Sequence, residues 1–190
     1  MFIDYVPLML INMAAGLVIL ASYISRFSGN QQDRSWASAF FIVGLVAVIC
    51  GFHMSFNWPL PGSYNVAFGE LSVLLGALFL GAGLSVALGW SLLPLGIYAL
   101  LAGITAIVVG LRIINLKLTQ EPVISGVGFI VTGLSGILMP PAIYFYKNRF
   151  LRLLVVILLI AGAFIWLRTG YKAYWSHLSN LSKWIPLLMR

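Results

Sequence analysis

Residues 53 to 70, His53-Met54-Ser55-Phe56-Asn57-Trp58-Pro59-Leu60-Pro61-Gly62-Ser63-Tyr64-Asn65-Val66-Ala67-Phe68-Gly69-Glu70, bring several side chains that could do chemistry into one short stretch between apolar runs. An imidazole stands at one end and a carboxylate at the other. His53 can donate, accept, carry a proton near neutral pH or bind a metal. Glu70 can pair with a cation or act as an acid. Asn57, Tyr64 and Asn65 between them offer amide and phenol hydrogen bonds. That chemistry suits a small ligand, a proton or a quinone-like headgroup. It contains no hydrolase triad, P-loop or dinucleotide fingerprint, so an enzyme is not expected and no cofactor is named.

The rest of the chain must position these groups, and it is nearly all hydrocarbon. Of 190 residues, 62% are hydrophobic and 8% charged, and the mean hydropathy is +1.04. A soluble domain has about 25% charged residues, so this chain cannot clothe a water-facing surface. Runs near the ~20 residues that cross a bilayer recur along it: about Tyr5 to Phe27, Trp36 to Asn57, Phe68 to Gly89, Leu93 to Asn115, Val123 to Tyr146 and Phe150 to Arg168. The expected class is all-α, a polytopic integral membrane bundle of six transmembrane helices, residues 1–170, in the plasma membrane. Trp36, Trp58, Trp90, Tyr144, Tyr146 and Tyr171 near the run ends fit interfacial belts. Pro140-Pro141 should bend or end the fifth run.

Residues 171–190 read differently. Tyr171, Tyr174, Leu178, Leu181, Ile185 and Leu188 form one apolar stripe, with Lys172, Ser176, Ser179, Asn180 and Lys183 facing away. Such a helix is expected to lie in the headgroup plane, against anionic lipid, or to dock on a partner helix.

Eleven Lys and Arg against four acids give a charge of +7. The bases flank apolar runs, so the expected partner is the bilayer and its anionic lipids, and nucleic acid is not expected. With six spans both termini share one side, here side A. Side B carries five bases (Arg26, Arg34, Lys147, Arg149, Arg152) and side A six (Arg112, Lys117, Arg168, Lys172, Lys183, Arg190). The total therefore does not orient the chain; the first loop favours side B as cytoplasmic. The lone Cys50 cannot form an internal disulfide and reads as a small core residue. The segment Met1-Phe2-Ile3-Asp4-Tyr5 lacks a basic n-region, so the first run is expected to remain as a helix.

Counted from Trp58 at the side A interface, His53 lies about 7 Å inside at ~1.5 Å per residue. Glu70, Asn12 and Arg112 fall on the same side by the same count. Asp4, Asn12, His53, Asn57, Tyr64, Asn65, Glu70 and Arg112 are thus expected to cluster at one end of the bundle, with Glu70 paired to Arg112. His53 is either a satisfied interior histidine, bonded to Asn57 or a carbonyl, or a ligand or proton site. As a metal ligand it lacks a second histidine or cysteine at ligand spacing. The segment Trp58-Pro59-Leu60-Pro61-Gly62 disfavours helix and reads as an inserted cap or a surface loop. Ala77, Gly81, Ser85 and Gly89 in the third run, with Ala102, Ala106 and Gly110 in the fourth, are expected to zip those two runs into an antiparallel hairpin. Gly128, Thr132 and Gly136 form a similar stripe in the fifth; a homodimer seam is the alternative use.

His53-Met54-Ser55, then Trp58-Pro59-Leu60-Pro61-Gly62-Ser63-Tyr64-Asn65 and Phe68-Gly69-Glu70, together with the opening Tyr5-Val6-Pro7-Leu8-Met9-Leu10-Ile11-Asn12, resemble the uncharacterised prokaryotic membrane family called domain of unknown function 981. The resemblance implies a small multi-span protein and supplies no activity. Three functions follow as expectations: a side A pocket for a small ligand, proton or quinone-like headgroup; an accessory subunit of a larger, respiratory-type membrane complex or a homo-oligomer; or a small transporter or channel.

Overall fold

The computed structural model describes residues 4–27 and 33–185. The first loop at 28–32 and the end of the C-terminal stripe, Leu188 with Arg190, lie outside the described residues. The described chain forms six helices, α1 (Val6–Arg26), α2 (Ala37–Asn57), α3 (Leu71–Leu88), α4 (Leu93–Leu116), α5 (Pro122–Tyr144) and α6 (Arg149–Asn180), with no strand among those residues. All six are long and apolar enough to cross a membrane.

The helix ends follow from local chemistry. Pro7, Pro94 and Pro122 sit in first turns, where a missing N–H costs nothing. Asn148 caps α6 by accepting from the N–H groups of Phe150 and Leu151 at 3.0 and 3.3 Å. Gly89 closes α3 at φ 72°, the left-handed cap glycine adopts most readily. The Pro140-Pro141 pair does not stop α5, which continues to Tyr144; only two carbonyls of the last turns lose their donors.

Each helix packs chiefly on its neighbours in a closed ring, α1 on α2, α2 on α3 and so on round to α6 on α1. The expected α3–α4 zipper is a correction. That seam is among the sparsest, and the dense pairs are α2 with α3 and α4 with α5. Glycines spaced seven apart make them: Gly44 and Gly51 against Gly69, Gly76 and Gly83, then Gly103 and Gly110 against Gly126 and Gly133. Seven residues are two helical turns, so each set lies on one face. A Cβ at Gly44 would stand 2.7 Å from the Leu80 nitrogen, and one at Gly103 would stand 2.5 Å from the Gly133 oxygen. Only bare backbone lets these helices approach so closely. The Gly128, Thr132 and Gly136 stripe divides between two neighbours: Gly128 and Thr132 face α6, where Trp166 Nε1 donates to the Thr132 hydroxyl at 3.0 Å, and Gly136 lies against the Ala99 carbonyl of α4.

The C-terminal segment departs from its expected boundary as well. No helix end falls near residue 170; α6 runs unbroken for 32 residues. At ~1.5 Å per residue that is roughly 48 Å, against a hydrocarbon core of about 30 Å. Tyr171, Tyr174 and Leu178 thus continue the sixth helix, all three exposed.

Candidate functional site

The 53–70 stretch is a built corner. Trp58 ends α2 in the left-handed region, φ 47° and ψ 51°, turning the chain through the two prolines. What holds that turn is Asn65, which is fully buried. Its side-chain oxygen accepts from the Leu60 N–H at 3.1 Å, while its amide donates to the carbonyls of Leu60 at 2.5 Å and Gly62 at 3.2 Å. Prolines leave a loop short of donors, and this one amide supplies both a donor and an acceptor to backbone that no helix satisfies. Asn65 also begins a six-residue π-helical turn, Asn65–Glu70, which leads into α3. Beside it, the Tyr64 hydroxyl donates to the carbonyl of Leu118 in the α4–α5 connection, tying two side A loops together.

His53 meets a different partner from those expected. Its Nδ1 lies 3.1 Å from the Tyr5 hydroxyl, and the two rings stand edge to face with centroids 5.4 Å apart. Burial pushes the Tyr5 phenol above its ordinary pKa, with a smaller contribution from the Cys50 thiol. The Asn57 amide donates to the His53 carbonyl at 3.1 Å and is exposed. Tyr5, His53 and Asn57 therefore come together.

Glu70, Arg112 and Asn12 do not join them. Glu70 is exposed, and no ion pair among the described residues includes it. Arg112 instead donates to Asn115 at 3.0 Å, one turn along its own helix. The expected Glu70–Arg112 pair rested on α3 and α4 packing closely as a hairpin; their seam is sparse, and the two side chains do not meet across it. Asn12 donates to the Val43 carbonyl at 3.0 Å, ten positions back along α2 from His53 and deep in the α1–α2 seam. No group of three or more His, Cys, Asp or Glu that could hold a metal occurs among the described residues.

Side A carries charge clusters that the chain's linear order conceals. Glu121, just before α5, accepts from Arg168 at 2.6 Å and from Lys172 at 2.5 Å. His177 Nδ1 lies 2.7 Å from an Asp4 carboxylate oxygen. The available signal was the four-residue step from Arg168 to Lys172, which puts two bases on one helix face with few acids in the chain to answer them. The hydrogen bonds from Arg168, then from Lys172, hold the Glu121 carboxyl down to about 2. Its folded value lies below its ordinary one, so its stabilising effect is complete above the ordinary range and fades as pH falls toward about 2. Melting curves in detergent should accordingly show Glu121→Gln less stable than wild type at pH 6, with the gap closing as pH is lowered from ~4.5 to ~2.

A partly open space lies elsewhere, inside the ring. A cavity of about 130 Å³ is walled by side chains of all six helices, among them Leu17, Phe40, Leu75, Ala99, Ala106 and Leu159. None of the seven residues named above as ligand or proton candidates (His53, Glu70, Asn57, Tyr64, Asn65, Asn12, Arg112) lines it. Its hydroxyl-bearing lining residues are Tyr23, Thr132 and Ser135. Thr132 accepts from Trp166, and Ser135 donates to the Thr132 carbonyl at 2.7 Å. The Tyr23 hydroxyl is buried without a partner. Apolar runs give no period that marks a central void, so sequence reasoning missed this site; a tyrosine amid the first run was its one visible trace.

No curated protein and no solved structure matches the chain. A family model matches residues 1–180. By that match the chain belongs to the family described as protein of unknown function (DUF981).

Proposed function

We propose that this protein is a multi-pass protein of the plasma membrane that holds a small lipophilic molecule in the chamber within its helical ring. The carrying observation is the cavity itself. Protein interiors are close-packed, and at about 24 cal/mol per Å³ a void of about 130 Å³ forfeits roughly 3 kcal/mol. Ala99, Ala102 and Ala106 border it, so larger side chains could fill it and recover that energy. A dry cavity of ~150 Å³ lined by aliphatic and aromatic side chains takes up benzene. A chamber of this size and lining suits a ring or a short branched hydrocarbon.

The test is direct. Protein purified in lipid nanodiscs and examined by native mass spectrometry should carry an extractable lipophile, and toluene added to emptied protein should raise its melting temperature. A probe at a hundred times its dissociation constant stabilises by about 2.7 kcal/mol. Ala99→Leu should remove both effects while keeping the fold. Wild-type protein with neither a bound lipophile nor a toluene shift would overturn the reading.

The Tyr5–His53 pair favours a second function, a proton-active group at the side A mouth. Proton leak through liposomes that is lost in His53→Ala would support it, and unchanged leak would exclude it.

A further inference from the structure

The ring that walls the chamber is not equally tight all the way round. The α2–α3 and α4–α5 seams close backbone to backbone, at Gly44 on the Leu80 nitrogen and at Gly103 on the Gly133 oxygen. Trp166 on Thr132 interlocks α6 with α5, and Gly170 against Leu10 and Ile11 seats α6 on α1. The α1–α2 seam is sparser but bolted, by Asn12 on the Val43 carbonyl and, just ahead of α1, by Tyr5 on His53. Among the described residues the α3–α4 seam is the sparsest between neighbours in the ring. The polar side chains of α4 do not bolt it: Thr105 donates to the Leu101 carbonyl and Arg112 to Asn115, both within that helix.

Aromatic side chains pack across both ends of the ring. On side A, Phe129 packs on Phe68 and Trp166 with centroids 5.5 and 4.9 Å away. On side B, Tyr23 packs on Phe27 and Trp36, and Phe27 on Tyr146, with centroids 5.9, 6.2 and 6.4 Å apart. The side of the ring is more open. A cleft runs down the outside of the α3–α4 seam, bordered by Gly81, Leu84, Leu95 and Tyr98, and Leu84 and Tyr98 are exposed there. Gly81 stands roughly 12 Å along α3 from the Gly89 turn at ~1.5 Å per residue, a depth that belongs to acyl chains rather than headgroups. Leu95 borders both this cleft and the chamber, and among the described residues it is the one common to the two walls. It closes on a bare glycine: Leu95 Cδ1 lies 2.9 Å from where a Cβ would stand on Gly81. Turning one leucine between rotamers is far easier than parting helices that touch backbone to backbone.

We infer that the chamber is loaded from the bilayer, sideways between α3 and α4, and that the Leu95 side chain is the leaf that swings to admit the molecule. The inference rests on the chamber reading above and adds the route. With the route comes the class of ligand: a molecule already dissolved among acyl chains, which reaches its site without crossing water.

The probe is 4-fluorotoluene in nanodiscs, where fluorine magnetic resonance follows exchange between lipid and chamber. Leu95→Ala should raise the on-rate about tenfold, and the bulkier Leu95→Phe should lower it by a similar factor. Leu95 also walls the chamber, so affinity moves too; the on-rate is the quantity that a leaf controls. Leu20→Ala is the comparison. Leu20 lines the chamber from α1 and does not border the cleft, so this variant should change the off-rate and keep the wild-type on-rate. A wild-type on-rate in either Leu95 variant, or a gain in Leu20→Ala as large as in Leu95→Ala, would overturn lateral entry while leaving the chamber intact. If wild-type protein shows no bound probe, the chamber reading falls first, and this inference falls with it.

Discussion

Gly103→Ala should destabilise the protein by about 3 kcal/mol, at the upper end for an overpacked core, although alanine is the better helix former by ~1 kcal/mol. The added methyl would stand 2.5 Å from the Gly133 carbonyl oxygen and 3.0 Å from the Ile137 nitrogen. Both obstacles are backbone, so no rotamer change relieves them, and α4 must move off α5. Gly81→Ala is the control. Its methyl would meet only the Leu95 side chain, nearest at 2.9 Å, and the end of that side chain can turn away. Its cost should be within about 0.5 kcal/mol of zero, as for substitutions that strike no special feature. Unfolding of both variants in mixed micelles, by detergent titration or steric trapping, reads the difference. Equal costs at Gly103 and Gly81 would mean that the period-seven glycines do not set the helix contacts.

That contrast also shows why the sequence was legible in one respect and misleading in another. Six spans could be counted because each is a long run of low polarity, and hydropathy adds along a run whatever the tertiary packing. Which spans touch is set by a few close backbone approaches. Gly76 and Ala77 are neighbours in sequence, yet Gly76 lies against the Gly44 carbonyl and the Val48 nitrogen while Ala77 is exposed. A four-residue pattern of small side chains therefore picked the face of α3 that meets α4 only loosely, at Gly81 against Leu95, and the seven-residue glycine pattern that makes the close seam lay beside it unread. The site divides similarly. Composition singled out residues 53 to 70, and that segment forms a corner held by side-chain hydrogen bonds to its own backbone. The roles inside it could not be assigned, because they depend on how the loop folds back on itself: Asn65 reaches Leu60 and Gly62, and Tyr64 reaches Leu118 on another loop. Nor could pairings such as Glu121 with Arg168, or Asp4 with His177, be foreseen. Those contacts join residues far apart along the chain, and charge identity alone does not choose among eleven bases.

Asn65→Ala should cost about 1–3 kcal/mol, the penalty of removing one partner from a hydrogen-bonded site; Leu60 is half-buried and Gly62 exposed, so water takes up part of the loss. The substitution would strand the Leu60 N–H and the carbonyls of Leu60 and Gly62, all now served by one fully buried amide. The prolines on either side of Leu60 cannot replace the lost donors. Asn57→Ala provides the comparison: that amide is exposed and bonds only to the His53 carbonyl one turn back, and its loss should stay within ~0.5 kcal/mol. Asn65→Asp makes the argument sharper. It retains the acceptor facing the Leu60 N–H yet sets a carboxylate against two carbonyl oxygens. Burial against two carbonyl oxygens raises such an acid above its ordinary value, so while ionised it should be worse than alanine, and as the pH falls it should protonate before ~4, regain one donor and recover toward wild type. Hydrogen exchange at the Leu60 amide, alongside the melting temperature, distinguishes loop release from general unfolding. Protection at Leu60 that survives Asn65→Ala would mean that the corner is held by its prolines and by Tyr64 on Leu118, and that the buried amide is incidental.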